Sequence, residues 1–157
     1  MSANVYDFQI LGPVEGGEVQ STSGVSVQDS AVVAGTTSSI SYGDICVFAN
    51  GYWAKSANGG CASAGLYGVA QSTSTETASA DGLVKVAFHP SGLLAKGTPT
   101  TAGNLAQAII GDKVTLDVNA GVQTVDEDDP NGVLVVAGYD ATSGAERITV
   151  VVPYSVS

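Results

Sequence analysis

The sequence predicts an all-β protein: a barrel or sandwich built from two similar β-units, with an N-terminal extension. Three observations lead there. Apolar residues alternate or fall in short runs of strand length, and no stretch keeps a helical period. Glycine-, proline- and asparagine-rich turns break the runs at short intervals. The order of strands and turns also occurs twice along the chain.

The first strand of the repeating body covers 44–48 and turns at Asn50-Gly51 into a second over 52–55. Asn-Gly readily takes the positive φ angles of a tight hairpin, so the two strands pair as neighbours. Further strands follow over 66–71, 83–89, 113–118, 122–125, 133–139 and 147–153. Breakers separate them: Asn58-Gly59-Gly60, Asp81-Gly82, Pro90-Ser91-Gly92, Asn119-Ala120-Gly121, Pro130-Asn131-Gly132 and Ser143-Gly144. One short helix or an irregular loop is expected over 102–110.

The repeat opens on Gly43-Asp44-Ile45 and again, 68 positions on, at Gly111-Asp112-Lys113. Each opening leads through a hairpin to an apolar strand, Leu66-Tyr67-Gly68-Val69-Ala70 or Val133-Leu134-Val135-Val136-Ala137. Both copies close on a strand that ends in proline, at Pro90 and Pro153. Two four-stranded units of this kind would bury their apolar faces on one another. Residues 41–157 therefore form the barrel or sandwich, and 1–40 form an arm or extra strands. Two readings stay open for that extension, which carries Tyr6-Asp7-Phe8-Gln9-Ile10-Leu11-Gly12-Pro13-Val14: a strand pair added to the barrel, or an arm that packs on a partner. Gly16-Gly17 and 21–24 would be its hinges.

Charge excludes whole classes of function. The chain of 157 residues carries 15 acidic and 5 Lys or Arg side chains, a formal net charge of −10. Phosphate binding rests on displaced counterions, so nucleic acid is excluded as a partner. No apolar run approaches the ~20 residues of a membrane helix, and no membrane partner is expected. The first cationic side chain is Lys55, so the expectation is a soluble protein made in the cytoplasm without a secretory leader.

The side chains that carry chemistry are sparse. Cys46 and Cys61 lack zinc-ligand spacing and are expected as two small, semi-buried thiols, although a disulfide is geometrically open to them. His89 is the only imidazole, at a strand end beside Pro90, and no nucleophile elbow or phosphate loop occurs. No enzymatic function and no cofactor are expected. The run Asp126-Glu127-Asp128-Asp129 imitates the start of a calcium loop, but Pro130 interrupts it and Gly138 stands where a bidentate glutamate is needed. It is read as a solvated loop tip whose charges keep strand edges apart, and no metal is assigned.

The Gly-Asp openings, the Gly-Val-Ala strand and the repeat together resemble the phage capsid cement (head decoration) protein family. The matching pieces are Gly43-Asp44-Ile45-Cys46-Val47, Tyr67-Gly68-Val69-Ala70 and Val84-Lys85-Val86-Ala87. Ser91-Gly92-Leu93-Leu94-Ala95-Lys96, Gly111-Asp112-Lys113-Val114 and Ile148-Thr149-Val150-Val151-Val152 complete them. The resemblance covers about 41–157. It departs at the second Gly-Asp, where the family usually has an aromatic residue and this chain has Val114-Thr115-Leu116. It implies a small β protein without catalytic residues that docks on the exterior of an assembled capsid and clamps neighbouring major capsid subunits.

The expected function is thus that of a virion structural protein that stabilises a capsid as a homo-oligomer, preferably a trimer. The alternatives are a β-rich fibre, tail or carbohydrate-binding surface module, or a small hydrolase dependent on His89. Phe8, Ile10, Leu11 and Trp53 are the expected capsid or protomer contacts. Phe8 and Ile10 share a strand face that a partner's sheet edge would accept by strand addition. Tyr52 and Trp53 lie on opposite faces, and for Trp53 both core and interface remain open.

Overall fold

A computed structural model of the chain describes residues 8–14, 26–32, 40–57, 59–61 and 65–156. Twelve strands are described: β1 (Gln9–Pro13), β2 (Ser26–Val32), β3 (Ile45–Ala49), β4 (Tyr52–Lys55), β5 (Gly65–Ala70), β6 (Gly82–Phe88), β7 (Leu93–Gly97), β8 (Lys113–Asn119), β9 (Val122–Asp126), β10 (Leu134–Asp140), β11 (Arg147–Val152) and β12 (Ser155–Val156). The segment expected as a short helix or loop holds two single 3-10 turns, Ala102–Asn104 and Gln107–Ile109.

The protein is all-β, a half-barrel and a nearly closed barrel. One sheet runs β2-β6-β5-β3-β4 and the other β1-β7-β11-β10-β8-β9, with β12 also paired to β5. The order β2-β6-β5-β3-β4 recurs as β7-β11-β10-β8-β9, so the repeating unit has five strands where the sequence pattern suggested four. The strand that the pattern overlooked is the first of each unit. In the first unit it lies in the N-terminal extension, and in the second it follows Gly92. Backbone hydrogen bonds repeat as well. Gly43 N–H donates to Ala70 O, and Ala70 N–H to Asp44 O; Gly111 N–H donates to Val136 O, and Val136 N–H to Asp112 O, all at 2.8–2.9 Å. Both hairpin turns are left-handed at their two central residues, Asn50-Gly51 (φ 55° and 86°) and Ala120-Gly121 (φ 53° and 81°).

Each unit completes the other. β1 pairs antiparallel with β7 of the second unit, while β12 pairs with β5 of the first. The strand addition expected of the Phe8–Ile10 segment is therefore made within the chain. Of the two readings of the extension, extra strands describe 9–13 and 26–32. Tyr6, Gly16-Gly17 and 21–24 lie outside the described residues. Beyond β4, Gly59 N–H donates to Leu116 O at 2.8 Å, and Cys61 O accepts Val133 N–H at 2.6 Å. In the second unit, Val125 N–H donates to Thr98 O and Val125 O accepts Thr100 N–H, both at 2.8 Å, which draws 98–100 against β9.

The first unit's sheet is buried on both faces because strand side chains alternate. Cys46, Trp53, Ala70, Val84 and Val86 point to a small cluster with Val32 and Ile40. Ile45, Tyr67, Val69 and Ala87 point the other way, into a larger cluster with Val114, Leu116, Val125 and Leu134 of the second unit. The first sheet's outer face thus packs on the second sheet, and the larger cluster, at about 1.5–3 kcal/mol per large buried side chain, is shared by both units. At Val114-Thr115-Leu116, which lacks the aromatic usual in the resembling family, all three residues are buried.

Candidate docking surface

Strands β1 and β9 stand at the two margins of the second sheet, and among the described residues only β7 pairs with β1. Phe8 N–H donates to Gly43 O at 2.9 Å at one end, and Val14 N–H to Gly92 O at 3.0 Å at the other. Exposed apolar side chains mark both ends: Tyr42 is 53% exposed and Val14 42%. Between them, Ile10 and Leu11 are half-buried. The five extended residues of β1 span about 17 Å; Ile10 packs against the shared core and Leu11 stands at the bulge. Leu11 is the extra residue of a bulge, where the register slips between Ile10 and Gly12, and Pro13 removes a backbone donor. Both features blunt an edge against further strand pairing, so contacts here are made by side chains.

The expected contact residues divide. Leu11 is half-buried at the bulge and Ile10 half-buried against the shared core, whereas Phe8 and Trp53 are 1% and 5% exposed. The Phe8 ring lies on Gly97, where a Cβ would stand 2.4 Å from it, so the missing side chain makes room for the ring. Trp53 packs edge-on to Phe48 with ring centroids 5.4 Å apart. Both aromatics are used inside the chain, because burying a large ring in the core outweighs leaving it exposed. The residues that sequence reasoning missed are Tyr42, Val14, Leu83 and Ile110, all exposed by 40% or more. A signal for two of them was present: Tyr42 and Ile110 each stand immediately before a Gly-Asp opening.

A polar junction holds the units in register. The Gln123 amide oxygen accepts Ile45 N–H at 2.7 Å, and its nitrogen donates to Ile45 O at 2.9 Å and Ser56 O at 3.0 Å. It acts as one rung of a β-ladder supplied by a side chain. Lys55 Nζ lies 3.2 Å from Asp44 Oδ2 and donates to Gly121 O in the second unit's hairpin turn. Burial pushes the Asp44 carboxyl up, against the lowering effect of the Ser41 N–H and Lys55.

The two thiols are free and fully buried, not semi-buried as expected. Burial raises both, Cys61 to about 12, so neither is a nucleophile at neutral pH. His89 Nδ1 accepts Ser91 N–H at 3.1 Å and lies 2.7 Å from Ser91 Oγ, closing the turn between β6 and β7. The acidic run is not a solvated tip throughout. Glu127 is buried and staples the 98–104 segment, accepting Thr100 N–H at 3.1 Å, Thr101 N–H at 2.8 Å and Asn104 Nδ2–H at 3.2 Å. Asp129 accepts Asn131 N–H at 3.0 Å. Among the described residues, no three His, Cys, Asp or Glu side chains gather as metal ligands. No helix there is long and apolar enough to cross a membrane.

No family model matches the chain, and no curated protein or solved structure does either.

Proposed function

We propose that this protein is a virion structural protein that binds the outer surface of an assembled phage capsid as a small homo-oligomer and stabilises it. The observation that carries the reading is the doubled unit, opened each time by Gly-Asp and locked to its copy by exchanged terminal strands. The Gly-Asp openings are among the residues on which the resemblance to capsid cement proteins rests. An interlocked body of this kind suits a clamp, because pulling on either unit loads β-pairing and a shared core together.

The docking element in this reading is the β1 margin, with Tyr42, Leu11 and Val14 as its apolar contacts. Its mechanism is mass action: binding only the assembled shell stabilises that state by RT ln(1 + [L]/Kd). Oligomers that bridge subunits add avidity. With few cations in the chain, contact rests on apolar and backbone groups, and binding is expected to depend modestly on salt. Against a carbohydrate-binding module stands the use of the aromatics. Among the described aromatic residues only Tyr42 is fully exposed; Phe48, Tyr52, Phe88, Tyr139 and Tyr154 are half-buried, and Phe8, Trp53 and Tyr67 are buried.

The test is co-sedimentation of the purified protein with undecorated shells of the phage that encodes it, beside free capsid subunits. Binding to shells and not to subunits is expected, and Val14→Asp or Tyr42→Asp should weaken it. Equal binding to both states, or none to shells, would overturn the reading. His89→Ala should bind as the unaltered protein does.

A further inference from the structure

The outer face of the β8–β9 hairpin forms an open cleft of about 470 Å³. Asp117 and Thr124 stand opposite each other across the hairpin, as do Asn119 and Val122. Residues 98–100 form its wall, joined to the floor by Thr100 Oγ1 and Thr124 Oγ1 at 2.7 Å. No cationic side chain lines the cleft. Arg147 at its rim donates to Thr98 Oγ1 at 3.3 Å and to Lys96 O at 2.9 Å.

The duplication gives this face a meaning. In the first hairpin the same face carries Ile45 and Val47, which are packed against the second unit. The fold therefore already uses this face as a docking surface once. In the second hairpin the matching positions are exposed Lys113 and buried Thr115, and only toward the turn does the face open, where Asp117, Asn119 and Thr124 line the cleft and Asp117 is half-buried. The Asp117 carboxylate makes no hydrogen bond or ion pair among the described residues. A carboxylate drawn partly out of water, in a chain of net charge −10, gains most from a cation.

We infer that the cleft receives one ammonium or guanidinium side chain carried by a protein partner, with Asp117 as its counter-charge. The threonine hydroxyls and the Asn119 amide oxygen supply the further acceptors that a cation with three or five N–H groups requires. Pro99 and Val122 give the apolar surface along which a lysine or arginine stem lies. The volume is that of a ligand pocket and exceeds one side chain, so flanking partner residues enter as well. This goes beyond the proposed function: it names the chemistry of a contact whether or not the partner is a capsid subunit.

The test needs no capsid, so its failure is distinct from failure of that reading. The full chain, labelled with ¹⁵N, is titrated with Nα-acetyl-lysine amide, Nα-acetyl-arginine amide, the capped peptide Gly-Ser-Lys-Ser-Gly, Nα-acetyl-glutamine amide, glucose and spermidine. Saturable amide shifts centred on Thr98, Thr100, Asn119 and Thr124 are expected with the three Lys or Arg probes. The peptide should bind tightest, and glutamine amide and glucose should give no such shifts. Asp117→Asn should weaken binding about tenfold, a loss of about 1.4 kcal/mol, while Asp112→Asn leaves it unchanged. The inference is overturned if shifts spread equally to exposed acids such as Asp112 and Asp140, or persist in Asp117→Asn. It is equally overturned if glucose or glutamine amide shifts the same residues, or if spermidine binds tighter than the peptide.

Discussion

Replacing Gln123 by leucine tests how the two units are joined. The side chain is 2% exposed and satisfies three backbone groups of the first unit. Leucine has a similar bulk and no polar atoms, so packing changes little while the hydrogen bonds vanish. Ile45 O retains a second donor, Ser56 N–H at 3.0 Å, and is not stranded. Ile45 N–H and Ser56 O lose the partners that Gln123 supplies, and each buried group left unpaired costs about 1–3 kcal/mol. With a small offset from apolar burial, the net loss is about 3–5 kcal/mol. For a chain of this size that lowers the melting temperature by about 10–15 °C. Thermal and urea unfolding followed by circular dichroism would measure it, with exposed Gln107→Leu as a control expected within about 0.5 kcal/mol of the parent. Gln123→Glu adds a sign test. Its carboxylate still accepts Ile45 N–H but faces two carbonyl oxygens, so stability should recover as acid protonates it. A Gln123→Leu protein melting within about 2 °C of the parent would refute the side-chain rung.

Four further outcomes follow from the same geometry. Ala120 sits at φ 53°, where asparagine is better tolerated, so Ala120→Asn should raise stability by about 0.5–1 kcal/mol in urea titrations. Gly97→Ala drives a methyl into the Phe8 ring and should cost about 2–4 kcal/mol and speed proteolysis near β1. Cys46 and Cys61 should resist a disulfide reagent in the native protein and both react after denaturation; rapid native labelling would contradict their burial. Asp44 and Glu127 are raised chiefly by burial, so the stability they contribute is fully present below the unfolded values, about pH 4, and is lost as pH rises through the folded ones. Melting temperature should therefore rise as pH falls from neutral toward the unfolded values, about pH 4, less steeply in Glu127→Gln. Asp140, lowered by hydrogen bonds from Thr142, opposes this only in stronger acid.

Much of the fold is written in short-range pattern. The Asn50-Gly51 hairpin needs only two residues with the right φ preferences, and the eight strands read from alternation and breakers all lie where β3–β6 and β8–β11 stand. The repeat was legible because Gly43 and Gly111 occupy the same left-handed position (φ 85° and 93°) at each opening. Strand β7 was missed because Leu93-Leu94-Ala95-Lys96-Gly97 is short, with its alternation masked by two adjacent leucines.

The sites were less legible, for a reason of distance along the chain. Nothing local distinguishes Gln123 from a surface glutamine; its partners Ile45 and Ser56 are 78 and 67 positions away. Glu127 looks like one more solvated acid until residues 100–104 fold over it. Phe8 and Trp53 promised contacts because large aromatics favour interfaces and cores alike, and hydropathy does not tell the two apart. Sequence alone determined the class, the duplication and the lack of cations, since these follow from local propensity and composition. Only the tertiary structure decided which faces meet: β1 crossing to the second unit, the first sheet's outer face packed on the second sheet, and a cleft left open at the turn end of the β8–β9 face. Those choices depend on long-range packing, where each strand's partner is selected by the fit of the assembled core.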